Sequence, residues 1–190
     1  MSLASDLVAR RFSGEAARIC LAIGYAESGG YLDAVGDYYQ IRPTFTVQPG
    51  DTLTALARSY RTTVETLVDR NRLVDPDRII AGQELWNPSY NEGNRLPSGG
   101  YKWGPSVGWF QIRTLTDPKG WGVPDKVRDI EALRDPERQV EAIWVISEEG
   151  TTWDKWSVYR SEAYRLFLDK DYPLLVGHPE SRRWNLAGKR

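Results

Sequence analysis

The chain has 190 residues, and its 25 Lys and Arg nearly balance its 26 Asp and Glu, so the formal net charge is −1. Acidic and basic residues are interspersed along the chain, which gives no indication of a nucleic-acid or anionic-membrane partner. The length suits one domain or two small ones. The single cysteine excludes an internal disulfide, so folding in a reducing compartment is expected.

The N-terminal residues contain no apolar run of signal-peptide length, and no stretch of the sequence is apolar enough to span a bilayer. Synthesis in the cytoplasm without a signal peptide is therefore expected. His178 is the only histidine, whereas a zinc hydrolase usually needs several, so no metal and no cofactor are expected. A Cys–His hydrolase is disfavoured because Cys20 lies on an apolar helix face, where an inert thiol is expected.

After a short lead-in helix or ordered tail over residues 1–12, a helix is predicted between Ser13 as N-cap and Gly29 or Gly30 as C-terminal stop. Positions at helical spacing form one stripe of this helix: Ala16, Cys20, Ile23 and Glu27. Burial and the negative end of the helix dipole would both disfavour ionisation of Glu27, as a general acid requires. The alternative is that Glu27 turns to water at a frayed helix end.

Residues 31–37 are predicted to form a loop, and the character of the sequence changes after Pro43. A short strand over 44–47 leads through a turn to a helix that starts after Asp51 or Thr52. The second helix is predicted to begin at Thr62 or Thr63, because Thr62 and Glu65 have capping-box spacing, and to end at Asn71. A loop to residue 80, a turn and a strand over 84–86 complete a β-α-α-β unit.

The ordered pattern Phe45–Leu53, Ala57, Asn71 and Ile79–Trp86 resembles the LysM domain, and the resemblance extends over residues 44–88. It implies a domain at 43–88 that binds N-acetylglucosamine-containing glycans such as peptidoglycan or chitin. The implied glycan groove consists of two loops, with these residues: Gly50, Asp51, Thr52, Asn71, Ile79 and Ile80. The alternative is a LysM fold kept for protein contacts.

Residues 89–100 are rich in Gly, Asn, Ser and Pro and are predicted to be a linker. The segment Gly108–Ile112 suggests a tight turn that enters a strand or short helix, and residues 117–129 a polar loop. A helix is predicted from Asp135-Pro136 to Gly150. A last helix is predicted to carry its apolar side chains on one face: Tyr159, Ala163, Leu166 and Phe167. The tail from Gly177 is expected to be peripheral.

With the LysM stretch left out, the flanking segments resemble the lysozyme-like transglycosylase superfamily. The motifs are Glu27-Ser28-Gly29-Gly30, the segment 33–37, Trp103–Arg113 and, later, Gly150–Tyr159. The resemblance implies an α+β fold: a mainly helical lysozyme-like domain of residues 1–37 and 101–190, interrupted by the LysM domain and the linker. Insertions at loop tips are tolerated when their ends lie close together.

The resemblance implies that Glu27 protonates the glycosidic oxygen between N-acetylmuramic acid and N-acetylglucosamine, through an oxocarbenium-like transition state. If water attacks, the enzyme is a muramidase, for which Asp33 or Asp37 could be a second carboxylate. If the 6-hydroxyl of the sugar attacks, Glu27 acts as acid and then as base, and a 1,6-anhydro sugar results. The absence of acidic residues between Trp103 and Leu115 slightly favours this lytic transglycosylase route.

The same resemblance assigns further residues to substrate binding: Ser28, Asp37, Trp109, Gln111, Trp156 and Tyr159. Trp109 and Trp156 would stack on sugar rings. Gln111 would reach the substrate or Glu27, or else form a strand-end hydrogen bond. Tyr159 would orient Glu27 or an acetamido group, or else be a core aromatic. Ser28 would bond the sugar or cap its helix.

Two classes of function follow. The first is a peptidoglycan-cleaving glycosidase, carried by a phage as an endolysin or on a tail, or made by a bacterium for wall remodelling. The second is a catalytically inactive wall-binding or phage-tail protein. The expected partners are peptidoglycan or a related glycan and proteins of a phage particle. Action at the wall would follow lysis or delivery in a virion.

Overall fold

The computed structural model describes residues 2–37, 43–90, 96–97, 102–170 and 172–178. The chain divides into two compact units, one of residues 1–36 and 102–190 and the other of residues 37–101. The elements of the described residues are α1 (Leu3–Ala9), α2 (Gly14–Ser28), β1 (Val35–Gly36), β2 (Thr44–Thr46), α3 (Leu53–Ser59), α4 (Val64–Asn71), β3 (Glu84–Trp86), β4 (Trp103–Val107), β5 (Ile112–Leu115), α5 (Pro136–Ile146) and α6 (Ser157–Arg160). The fold is α+β, as predicted. No helix within the described ranges is long and apolar enough to cross a bilayer.

The first unit is built on α2, which begins and ends as predicted. Ser13 is the N-cap residue in extended conformation, and Gly29 ends the helix with a φ of 67°. Such a left-handed C-cap favours glycine, and the Gly29 N–H donates to the carbonyl of Tyr25. Cys20 and Ile23 are fully buried and Glu27 is half-buried, so the predicted stripe faces the core along most of its length.

A three-stranded antiparallel sheet in the order β1-β4-β5 accompanies the helices of this unit. Val35 pairs with Val107, and Val107 pairs in turn with Ile112. The prediction of a loop throughout residues 31–37 was therefore wrong at β1. Two residues are too few for a visible alternation of apolar and polar side chains, and their strand partner β4 lies far away in the sequence.

The second unit is the predicted β-α-α-β arrangement, in which β2 and β3 pair antiparallel with Phe45 opposite Leu85. The unit has its own apolar core, made of buried residues from all four elements and the adjoining turns: Phe45, Val47, Leu53, Leu56, Ala57, Tyr60, Leu67 and Leu85. The side chain of Thr63 accepts the N–H of Thr66 and caps α4. The alternative start at Thr62, with its capping box to Glu65, was thus wrong by one residue.

The C-terminal part of the first unit departs further from prediction. Helix α5 starts after Asp135, whose side chain accepts the N–H of Glu137, but ends at Ile146 rather than at Gly150. The predicted last helix is broken at Glu162, with a φ of 59°, into α6 and a 3-10 helix over Ala163–Phe167. A 3-10 helix has three residues per turn, so the predicted face is lost, and Leu166 is 70% exposed. Much of the predicted linker and the tail beyond residue 178 lie outside the described residues.

Candidate active site

The last turns of α2 rest directly on the turn between β4 and β5. A Cβ atom at Gly24 would lie 2.3 Å from Trp109 Nε1 and 2.9 Å from Phe110 Cε1, so only glycine permits this approach. Glu27 follows Gly24 by one helical turn and shares its face. The carboxylate is thereby carried at the end of the helix on the side of the β4–β5 turn.

This turn is anchored by an aromatic core. The rings of Trp109 and Phe110 stack with centroids 4.5 Å apart, and both side chains are fully buried. The Nε1–H of Trp156, which is 5% exposed, donates to the Phe110 carbonyl at 3.1 Å. A ring must present a free face to stack on a sugar, so the prediction that Trp109 and Trp156 stack on substrate was wrong. Both tryptophans support the site from within the core.

The side chain of Gln111 joins the β4–β5 turn to the start of β1 by hydrogen bonds. Gln111 has a left-handed backbone with a φ of 48°, and its Nε2 donates to the carbonyls of Gly108 at 2.9 Å and Ala34 at 3.2 Å. A Cβ atom at Gly36 would lie 2.4 Å from Gln111 Oε1. These contacts are the structural alternative foreseen for Gln111, and a direct contact with substrate stays a prediction.

Gln139 on α5 was missed by the sequence reasoning. Its side chain is fully buried, and its Oε1 accepts the N–H of Trp109 at 2.6 Å. Its Nε2 donates to the carbonyls of Leu32 at 2.9 Å and Leu133 at 2.8 Å. One amide thus ties α5 to the turn that carries Gln111 and to the loop before β1. The only sequence signal was a polar residue adjoining the apolar positions of an amphipathic helix.

Ser28 and Tyr159, which were also predicted to bind substrate, contact other residues of this unit. The Ser28 hydroxyl donates to the Gly24 carbonyl at 3.1 Å and accepts the N–H of Gly30 at 3.2 Å, so it closes the helix end. Tyr159 is half-buried and stacks on Tyr164 with ring centroids 4.9 Å apart. These contacts agree with the alternative predictions, in which Ser28 caps its helix and Tyr159 is a core aromatic.

Asp33 and Asp37, the two candidates for a second carboxylate, have different local structures. Asp33 accepts the backbone N–H groups of Gly177 at 2.7 Å and His178 at 3.2 Å, as expected for a turn residue. Asp37 is half-buried with a left-handed φ of 55°.

The single cysteine of this unit, Cys20, is not available as a nucleophile. Burial raises the pKa of the Cys20 thiol well above its usual value, which makes the thiolate inaccessible at neutral pH. Among the described residues no group of His, Cys, Asp and Glu side chains is placed to hold a metal ion.

In the second unit, three of the predicted groove residues have internal hydrogen bonds. Asp51 accepts the N–H of Gln48 at 2.8 Å, and Thr52 caps α3 through the N–H of Ala55 at 3.2 Å. Asn71 donates to the Leu67 carbonyl and accepts the N–H of Trp86, which joins α4 to β3. Substitution of these residues would disturb the fold as well as any groove.

The other three predicted groove residues lie in loops. Gly50 is exposed in the turn before α3, and Ile79 is half-buried against the apolar core. Ile80 is 70% exposed. Ile80 is therefore the side chain through which this loop can be tested for glycan binding without loss of a core contact.

Two family models match this chain. A LysM domain matches residues 45–88, and a Lysozyme like domain matches residues 91–158. No solved structure matches the chain. The chain therefore contains a LysM domain and a lysozyme-like domain, a combination that supports binding to peptidoglycan and a peptidoglycan-lytic function. The lysozyme-like match begins after α2, so the segment that carries Glu27 lies outside it.

Proposed function

We propose that this chain is a peptidoglycan-cleaving glycosidase in which Glu27 is the general acid and the LysM domain holds the wall. The catalytic domain comprises residues 1–37 and 101–190, and it is interrupted by the LysM domain at 43–88 and the linker at 89–100. The observation that carries the proposal is a half-buried carboxylate at the end of α2, on the helix face that contacts the β4–β5 turn. The bond cleaved is the β-1,4 bond between N-acetylmuramic acid and N-acetylglucosamine.

In the reaction, Glu27 gives its proton to the glycosidic oxygen while the bond from that oxygen to C1 of the muramic acid breaks. The 6-hydroxyl of the same sugar then forms a bond to C1, and its proton passes to the Glu27 carboxylate. The acid is regenerated, and no second carboxylate is required. The use of Asp33 in a turn supports this transglycosylase route over hydrolysis.

A phage-encoded lysin or tail enzyme is the setting we favour, since LysM anchoring suits delivery from outside or release at lysis. The alternative is an inactive wall-binding or tail protein. A scaffold without activity has no need for a carboxylate on an otherwise apolar helix stripe, so the position of Glu27 favours the enzyme.

The decisive variant is Glu27→Gln, which keeps the side-chain volume and removes the proton donor. We expect clearing of purified peptidoglycan to fall by about two to four orders of magnitude. The matched control is Glu15→Gln, which alters an exposed carboxylate in the first turn of the same helix. Equal clearing by both variants would refute the assignment of Glu27.

Mass spectrometry of the soluble products separates the two reaction outcomes. The transglycosylase route yields 1,6-anhydromuramic acid ends, whereas hydrolysis adds one water to each cleaved bond. An Asp37→Asn variant should retain most activity if no second carboxylate takes part. A loss comparable to that of Glu27→Gln, with hydrated products, would instead identify a muramidase that uses Asp37.

A further inference from the structure

At the start of β4, two tryptophans alternate with two cations. The Lys102 ammonium lies 3.9 Å from the ring centroid of Trp121 and 5.2 Å from that of Trp103. The Arg128 guanidinium lies 5.5 Å from the Trp103 centroid. We refer to Lys102, Trp103, Trp121 and Arg128 as the indole–cation cluster. Trp121 is 43% exposed, so the cluster reaches the surface.

Among the described residues, the two cations of the cluster have no carboxylate partner. Neither Lys102 nor Arg128 forms an ion pair in the part of the chain that the structure describes. The positive charge of the cluster is therefore not compensated by an ion pair with any residue that the structure describes.

The position of one cation is fixed in advance of any ligand. Arg128 Nη1 donates to the Arg113 carbonyl at 2.8 Å, which anchors the guanidinium beside Trp103. Partial burial lowers the pKa of Arg128, so its charge is incompletely solvated. An incoming anion would restore the lost solvation through charge-assisted hydrogen bonds.

Strand β4 links Trp103 of the cluster to the β4–β5 turn of the candidate active site. Trp103 opens β4, and the other end of β4 leads into the turn that carries Gln111. The two ends of β4, Trp103 and Val107, are four residue steps apart, which at about 3.4 Å per step is about 14 Å. A glycan strand of several sugar units is long enough to span this distance.

We propose that the indole–cation cluster is a binding subsite for glycan that carries free carboxylates, in which the cations bind the lactyl carboxylate of a muramic acid unit that has lost its stem peptide and the exposed indole contacts its sugar ring. The flat indole offers apolar area to the C–H groups of the ring, and the cation supplies the selectivity for acidic sugars. This inference rests on the proposed function for the identity of the glycan.

The test uses the full chain with Glu27→Gln, so that binding is measured without cleavage. The probes are soluble glycan strands from peptidoglycan whose stem peptides have been removed, which frees the lactyl carboxylates, and the same strands with these carboxyl groups reduced to alcohols. Lys102→Gln should weaken binding of the acidic strands about threefold and leave the reduced strands unaffected. Trp121→Ala should weaken binding of both. Lys119→Gln, in which a neighbouring paired lysine is altered, is the matched control and should change neither.

Several outcomes would overturn the subsite. These are equal losses on acidic and reduced strands for Lys102→Gln, no loss for either cluster variant, or a Lys119→Gln effect as large as that of Lys102→Gln. Binding of poly-glutamate with the same dependence on Lys102 and Trp121 would reduce the effect to unspecific charge attraction. Unchanged urea midpoints show that the variants fold. Because binding is read without turnover, failure of the wild type to cleave walls would contradict the proposed function and leave this test intact.

Discussion

Among single residues, Gln139 makes the most direct connection between the core and the candidate site. Its buried amide satisfies the N–H of Trp109 and the carbonyls of Leu32 and Leu133. These groups belong to the β4–β5 turn, the loop before β1 and a 3-10 helix over Ala132–Arg134. A buried polar group that loses its partner costs about 1–3 kcal/mol, so this one side chain supports three backbone segments at once.

We predict that Gln139→Met lowers the free energy of unfolding by about 2–4 kcal/mol, because methionine keeps the volume but satisfies none of the three groups. Urea unfolding at neutral pH measures the change. The matched control is Arg138→Met on the same helix, which removes only a partly exposed ion pair with Glu141 and should cost under about 1 kcal/mol. Similar costs for both variants would contradict the bracing role of the buried amide.

Between elements, the contact of α2 with the β4–β5 turn sets the surroundings of Glu27. An exposed glycine inside a helix is improved by alanine, with a gain of up to about 1 kcal/mol. At Gly24 the sign should reverse, because the added methyl group would lie 2.3 Å from Trp109 Nε1 within a buried ring stack. The rings cannot yield without moving the turn.

We predict that Gly24→Ala destabilises the protein by about 1–3 kcal/mol and reduces wall clearing, since α2 and the turn are pushed apart. A double-mutant cycle identifies the cause. In a Trp109→Leu background the smaller side chain leaves room for the methyl group, so Gly24→Ala should cost much less there. If Gly24→Ala lowers the free energy of unfolding equally in that background, the strain does not come from Trp109. If Gly24→Ala stabilises the otherwise unchanged protein, Gly24 and Trp109 are not in close contact.

At the scale of the whole molecule, the LysM domain and the lysozyme-like domain are each held together by internal contacts of their own. Among the described residues, the apolar core of the second unit consists of side chains between Phe45 and Leu85. In the first unit β1 pairs with β4, which joins the segments on either side of the interruption. A short Gly-Ser loop in place of residues 38–101 should therefore leave a folded first unit. Circular dichroism showing an unfolded product would argue that the LysM domain is structurally integral.

We predict that this excision weakens activity on insoluble walls far more than on short soluble muroglycans, because tethering raises the effective concentration of substrate without changing bond cleavage. Turnover on both substrates is the measurement. Ile80→Ser should mimic the excision if the anchoring uses glycan contacts of the LysM loop. Leu166→Ser, at an equally exposed position of the first unit, is its control. Equal loss on soluble fragments would mean that the LysM domain contributes to the catalytic cleft.

The sequence by itself determined the features that short-range chemistry encodes. α2 begins after Ser13, whose side chain forms no capping hydrogen bond, and ends at the left-handed Gly29, and Asp135 with Pro136 starts α5. The LysM domain was predicted from an ordered series of turns, caps and apolar positions, each of which acts within a few residues. The position of Glu27 on a largely apolar stripe likewise followed from helical spacing, although its catalytic role stays a prediction.

Only the tertiary structure decided what depends on partners distant in the chain. β1 exists because Val35 pairs with Val107. Trp109 is a core residue because α2 packs against it at Gly24, and Trp156 because its indole N–H donates to the Phe110 carbonyl. In the sequence, Gln139 and Asn71 cannot be distinguished from other polar residues, because the backbone N–H groups that they accept belong to distant segments that only folding brings close. Sequence patterns report which face of an element is apolar. Whether a given aromatic ring or amide faces substrate or core is set by packing between segments that the pattern does not relate.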